Sequence, residues 1–367
     1  MYRLRLGDYV KIRTGKLDAN KSCENGKYPF FTCAIEPLKI DNYAYDLECI
    51  LVAGNGDLNV KYYNGKFNAY QRTYIIESLN QEVLLVKYLF HFMEFYISTL
   101  RHESIGGVIK YIKLNNLTDA KIPIPSIMEQ NQIIQRLELV ATLINIKKRK
   151  IVLLDSLIRS RFLELFGDPL AGNAKWPIHN LCMVADAIDP QPSHRAPPID
   201  KNGIPYISIK DCDYNTGKID FEKARKVNVK VLQEQKTKYQ IHNGDMMIGK
   251  IGTIGYPVFL PTYETYTLSA NVILIQPNKS KVQPCFLKYS LESPYVESQF
   301  DKAKHSTSQS AFGILKIRKI KVMNPELSIQ NQFADFVNQV DKSKLAVQKS
   351  LDELETLKKS LMQTYFG

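Results

Sequence analysis

Lys121-Ile122-Pro123-Ile124-Pro125-Ser126-Ile127-Met128-Glu129-Gln130-Asn131-Gln132 returns two hundred residues later as Lys321-Val322-Met323-Asn324-Pro325-Glu326-Leu327-Ser328-Ile329-Gln330-Asn331-Gln332. From these openings to Gly167 and Gly367 the copies align without a gap, and 11 of the 47 positions are identical. Unrelated segments of ordinary composition would share about 3. The chain therefore carries an internal repeat. Ser126 with Glu129 three residues on is a capping-box signature that starts a helix. Ile133, Leu137, Val140, Ile144, Ile151, Leu154 and Ile158 keep a spacing near 3.5 residues, with Lys147 interrupting. Phe333, Val337, Val340, Val347, Leu351, Leu354 and Leu361 keep the same register, with Lys344 and Lys358 interrupting. That period predicts an interhelix seam. Each helix of roughly 38 residues would be ~57 Å long at 1.5 Å per residue. Gly167-Asp168-Pro169 ends the first copy, and Gly367 stands at the equivalent place in the second.

The segments before the helices are rich in Tyr, Ile, Val and turn dipeptides. Asn25-Gly26, Asn64-Gly65, Asn202-Gly203 and Asn243-Gly244 mark turns, and Tyr62 to Phe67 reads as a tight hairpin through Asn64-Gly65. Asn25 to Phe30 echoes Asn202 to Ile207, and Val86-Lys87-Tyr88-Leu89 echoes Leu287-Lys288-Tyr289-Ser290. The expected fold is α+β: two α/β units, residues 1–122 and 168–322, joined by two long antiparallel helices, 123–167 and 323–367. Those helices form a coiled-coil spacer with a pseudo-two-fold repeat.

Composition narrows the function. The 367 residues carry a net charge of +12, which suits a polyanionic partner. The six cysteines, Cys23, Cys33, Cys49, Cys182, Cys212 and Cys285, form no C-x-x-C pair. No metal site is expected, and they read as reduced core thiols of a cytoplasmic protein. The most apolar stretch, Glu82 to Leu100, contains Lys87, His91 and Glu94, which suits a buried helix and not a membrane span. No signal peptide is expected ahead of Tyr2-Arg3-Leu4. Asp189-Pro190-Gln191-Pro192 and Asn324-Pro325-Glu326-Leu327 do not make an amino-methyltransferase motif, and no phosphate loop is present. Gly249 to Gly255 reads as a tight turn between strands. No catalytic residue is assigned.

The combination resembles the specificity subunits of type I restriction–modification systems. Gly203-Ile204-Pro205-Tyr206-Ile207-Ser208-Ile209-Lys210, with Gly217-Lys218-Ile219-Asp220, is similar to the opening strand of their target-recognition domains. Gly244 to Gly255 resembles the central strand and turn. Ser269-Ala270-Asn271, Ile122-Pro123-Ile124-Pro125 and Glu129-Gln130 resemble later landmarks. In the first half, Asp46 to Gly56 departs from the longer glycine motif. The resemblance implies a non-catalytic subunit with two inverted recognition domains, reading a bipartite site on double-stranded DNA. Its partners would be two methyltransferase subunits that methylate adenine, and restriction–translocase subunits. S-adenosylmethionine, ATP and Mg would sit on those partners and not on this chain.

Candidate DNA contacts are Lys61, Tyr62, Tyr63, Lys66, Gln71 and Arg72, then Arg101 and His102, then Lys250 and Thr253. Lys304, His305, Ser306, Thr307, Ser308 and Gln309 complete the set. Arg and Gln suit bidentate readout of base edges, and Lys suits phosphate. Gln130 and Gln330 are expected to tie helix starts to the globular units. A methyltransferase or nuclease with its own recognition domains, and a coiled-coil scaffold that binds no DNA, are the competing readings.

Overall fold

The computed structural model describes residues 2–193, 195–213, 216–250, 253–305 and 313–367, without the side chains of 303–305. It divides into two compact units, residues 1–151 with 346–367, and residues 152–345.

The first unit begins with β1 (Arg3–Arg5), β2 (Val10–Thr14), β3 (Tyr28–Phe31), β4 (Leu38–Ile40), β5 (Tyr45–Ala53), β6 (Val60–Ala69) and β7 (Thr73–Ser78). Helices α1 (Val86–Glu103) and α2 (Leu114–Thr118), then β8 (Lys121–Pro123), lead into α3 (Ile127–Phe166). Six strands form one sheet in the order β2-β7-β5-β6-β3-β4, and β1 pairs separately with β8. Cys49-Ile50-Leu51-Val52 is apolar throughout because β5 is buried on both faces. Ile50 and Val52 meet Leu89, Phe92 and Met93 of α1, while Cys49 and Leu51 join Phe31 and Phe67 on the opposite face.

The second unit contains β9 (Ile178–Asn180), β10 (Ala185–Ile188), β11 (Ile199–Ile207), β12 (Lys226–Val227), α4 (Val229–Lys236), β13 (Met246–Gly249) and β14 (Val258–Phe259). β15 (Thr267–Leu268), β16 (Val272–Pro277), α5 (Pro284–Leu291), α6 (Pro294–His305), α7 (Ile314–Arg318), β17 (Lys321–Met323) and α8 (Leu327–Phe366) follow. Its main sheet runs β10-β16-β13-β14, with β12-β11-β15 beside it and β9 paired to β17. β16 repeats the logic of β5: Ile273 and Ile275 face one core, Val272 and Leu274 the other.

The long helices run 40 residues each, Ile127–Phe166 and Leu327–Phe366. Ser126 and Glu129 cap the first reciprocally, since the Glu129 amide donates to Ser126 Oγ at 3.3 Å and the Ser126 amide to Glu129 Oε2 at 3.1 Å. Gly167 ends it, its amide donating to the Leu163 carbonyl at 2.8 Å. Within the first unit the expected seam holds at Val140, Ile144 and Leu351, flanked by Ile151, Leu354 and Leu361. Val347 is buried too. At the other positions the seam becomes a docking face. Ile133 and Leu137 sink into the core under α1. In the second unit Ile158, Phe333, Val337 and Val340, with Leu154 beside them, join the core of that unit. A 3.5-residue period cannot tell a helix partner from a domain surface.

Two glycine dipeptides do not turn the chain. Asn64-Gly65 lies inside β6, where Glu48 pairs with Asn64 and Leu47 with Gly65. The ladder from Tyr45 to Val52 overrides the local turn preference, and glycine accepts the φ of +135° that this costs. The connection instead falls at residues 54–59, where the Ala53 amide donates to the Asn59 carbonyl at 3.0 Å. Asn202-Gly203 likewise lies within β11, where the register shifts between Ile199 and Ile204. Among the cysteines, Cys49 and Cys212 are core thiols, both pushed up to about 12 by burial, but Cys182 is exposed.

Candidate nucleic-acid interface

The glutamines that open the helices hold each unit together. Gln130 is fully buried: its Oε1 accepts from the Leu85 amide at 3.0 Å, and its Nε2 donates to the Val83 and Pro125 carbonyls at 2.7 and 2.9 Å. Gln330 repeats this on the Gln283 amide at 2.8 Å and the Lys281 and Pro325 carbonyls at 3.3 and 2.7 Å. Leu85 and Gln283 each precede a helix, α1 and α5. They therefore occupy matching places. Tyr88 then corresponds to Phe286, three residues from the pairing of Val86 with Leu287 that sequence similarity suggests. Both rings meet a phenylalanine at a long-helix end: Tyr88 lies 5.4 Å from Phe366, and Phe286 lies 4.6 Å from Phe166.

Of the first-unit candidates, Gln71 and Arg72 stand together on the exposed tight turn between β6 and β7. The Arg72 carbonyl accepts from the Gly54 amide at 2.8 Å, which fixes the turn, and no described residue bonds its guanidinium. Gln71 Nε2 donates to Asp18 at 3.1 Å, a bond at the surface. With Thr14, Gly54, Tyr74, Tyr111 and Ile112 they line a cleft of about 350 Å³. Its polar groups can donate and accept. Thr14, Tyr111 and Ile112 carried no signal in sequence, because they reach the cleft from β2 and from the loop after α1.

The rest of the hairpin set separates by strand alternation. Tyr62 points toward α1, donating to Glu48 at 2.7 Å with its ring 6.2 Å from Phe90. Tyr63 points the other way and stands 5.0 Å from Phe31. Both are half-buried and carry packing. Lys61 bonds Asn59, and burial pushes its ammonium down despite Cys33 and Glu36. Lys66 is exposed, and its bond to Tyr43 raises it.

Arg101 donates to Asp57 at 3.0 Å and to the Leu58 carbonyl at 2.8 Å, so its guanidinium braces the loop between β5 and β6. His102 is exposed. In the second unit Lys250 is 4% exposed, with Nζ 2.7 Å from Asp189. That ammonium faces inward and is not presented to a ligand, because burial of a lysine demands a paired anion. Thr253 is exposed. Lys304 and His305 end α6, and their side chains lie outside the described residues, as do Ser306, Thr307, Ser308 and Gln309 entirely. No group of His, Cys, Asp and Glu among the described residues could hold a metal ion, and no described helix is long and apolar enough to cross a membrane.

The comparisons with known proteins point the same way. The EcoDI specificity subunit of Escherichia coli is 40% identical over 135 residues, which cover 37% of this chain and 30% of that one. Against this relative the chain spans less than a third of its length. The MjaVIII specificity subunit of Methanocaldococcus jannaschii is 22% identical over 387 residues, covering 98% of this chain and 90% of its own. The crystal structure of the type I restriction–modification S subunit from M. genitalium shares the fold, with a TM-score of 0.61 at 14% identity over 100% of this chain and 96% of that one. Residues 3–155 and 193–356 match the model of the type I restriction modification DNA specificity domain, one match for each half, and the chain belongs to that family.

Proposed function

We propose that this chain is the specificity subunit of a type I restriction–modification complex, reading a bipartite site in double-stranded DNA and carrying out no chemistry itself. The observation that carries this reading is the family match in both halves. A net charge of +12 and a cleft holding Gln71 and Arg72, whose guanidinium has no partner among the described residues, support it. Each half, residues 1–122 and 168–322, reads one half-site. The two 40-residue helices are the duplicated spacer, each giving one end to each unit.

Methyltransferase subunits dock on the helices. Exposed Leu139, Leu143 and Ile146 of α3 offer an apolar strip at four- and three-residue spacing, unused by the protein's own seam. Adenine methylation with S-adenosylmethionine, and cleavage with ATP and Mg in restriction subunits, belong to these partners in the cytoplasm. The test expresses the chain with its partner methylase, maps methylated adenines, and assays each protein alone. Site-specific methylation by the pair alone is expected. Methylation or cleavage by the pure chain would overturn the reading.

A further inference from the structure

Between α1 and α2 the chain builds a short finger that leaves the core with its tip exposed. Ile105 and Tyr111 bridge its neck through two bonds, the Ile105 amide to the Tyr111 carbonyl at 3.0 Å and the Tyr111 amide to the Ile105 carbonyl at 2.9 Å. The neck is tied to the next turn, since the Gly56 amide donates to the Lys110 carbonyl at 2.9 Å and the Ile112 amide to the Gly54 carbonyl at 3.0 Å. Tyr74 donates to the Ile112 carbonyl at 3.2 Å. The finger is thus closed by two bonds across its neck and anchored by three more to its surroundings. Its tip, Gly106-Gly107-Val108-Ile109, presents Val108 fully exposed and Ile109 62% exposed.

The finger geometry is specific. Gly106 has a φ of +116°, and a Cβ there would lie 2.4 Å from the Ile109 carbonyl oxygen, so only glycine allows the tip to close. Two neighbouring apolar side chains are thus held out on a braced neck. Exposed Lys110 and Lys113 flank them, and exposed His102 lies in the last turn of α1. Tyr111 and Ile112 also line the cleft of Gln71 and Arg72. An apolar tip between basic side chains, continuous with a base-reading cleft, suits a kinked duplex: lysines hold phosphates while the tip enters between two bases.

We infer that Val108 and Ile109 form a wedge that inserts at a base step of the half-site read by the first unit, unstacking it and adding shape readout beside Arg72. This rests on the DNA-specificity reading above. Flexible pyrimidine–purine steps would accept the wedge most readily.

The experiment uses the full chain with its methylase and a duplex carrying the methylated sequence found for that pair. 2-Aminopurine replaces bases one at a time in the first half-site, leaving out the methylated adenine. Binding should raise fluorescence at one step. V108S/I109S should bind with lower affinity and lose the rise, while V108I/I109L keeps it. Thermal melting shows that the variants fold, as both side chains are exposed. Binding without a rise at any position, or an unchanged rise in V108S/I109S, overturns the wedge and leaves the specificity reading intact. Loss of methylase association in V108S/I109S would make the tip a protein-docking element and also overturns it. No duplex binding by the wild-type pair would overturn the specificity reading and the wedge together.

Discussion

Arg72 and Arg101 look interchangeable in sequence, yet their environments separate them. Arg72 stands on a fixed turn with its guanidinium unpaired among the described residues, whereas Arg101 is committed to Asp57 and Leu58. Arg72→Ala should therefore cost ~1–3 kcal/mol of binding to the cognate duplex and relax one position of one half-site. Methylome mapping of the variant checks this, and an equal loss on every sequence would demote Arg72 to a phosphate contact. Arg101→Ala should instead weaken recognition without relaxing a position, because it frees the loop at Asp57. Gln130 and Gln330 present the opposite case. Each satisfies one backbone amide and two carbonyls in a dry site, and each stranded buried group costs about 1–3 kcal/mol. Gln130→Ala and Gln330→Ala should lower the melting transition of their own units by several degrees (roughly 2–4 °C per kcal/mol for units of this size). The packing role was legible in sequence because both glutamines recur in register at helix starts. The fixing of the turn that carries Arg72 was not, since it rests on the amide of Gly54, eighteen residues upstream, donating to the Arg72 carbonyl.

Among the elements, the long helices were the most legible, because caps, period and duplication agree on them. The Asn64-Gly65 hairpin failed because a nine-residue β5 alongside decides what a dipeptide does. Two of the lysines that break the seam, Lys344 and Lys358, found partners that periodicity could not name, as did Lys148 beside the third. Lys344 bonds Asp155, Lys148 lies 3.0 Å from Glu355, and Lys358 lies 3.2 Å from Glu94 of α1. Burial pushes the Glu94 carboxyl up, but bonding to His91 and the charge of Lys358 outweigh it and hold the group below its ordinary 4.5. A depressed carboxylate contributes stability that is present above its unfolded value and is lost as pH falls through the folded one. Lys358→Met should destabilise the first unit by about 1–2 kcal/mol at neutral pH, less than a fully buried pair, as both groups are partly exposed. The difference from wild type should shrink as Glu94 protonates below its ordinary value. Thermal melts across that range check the sign, and a gap that widens in acid would contradict it.

At the scale of the whole molecule, the duplication carries the functional argument. Two matching glutamine clamps, two strand pairs closing on Lys121–Pro123 and Lys321–Met323, and two helices of equal length suit the proposed reading of two half-sites. If the helices are the spacer, their length sets the base pairs between half-sites. One added heptad in each, after Ala141 and after Asp341, keeps the apolar register and lengthens each helix by ~10.5 Å. Along B-form DNA at ~3.4 Å per base pair that corresponds to ~3 base pairs. The half-sites would also rotate by roughly 100°, since a helical turn takes ~10–10.5 base pairs. A longer preferred spacer, or failure on every duplex, is therefore expected; in either result the original spacing preference disappears. Methylation of duplexes with fixed half-sites and graded spacers measures it. Should the lengthened chain fold, join its methylase and still prefer the wild-type spacer, the interval must be set by the globular units themselves.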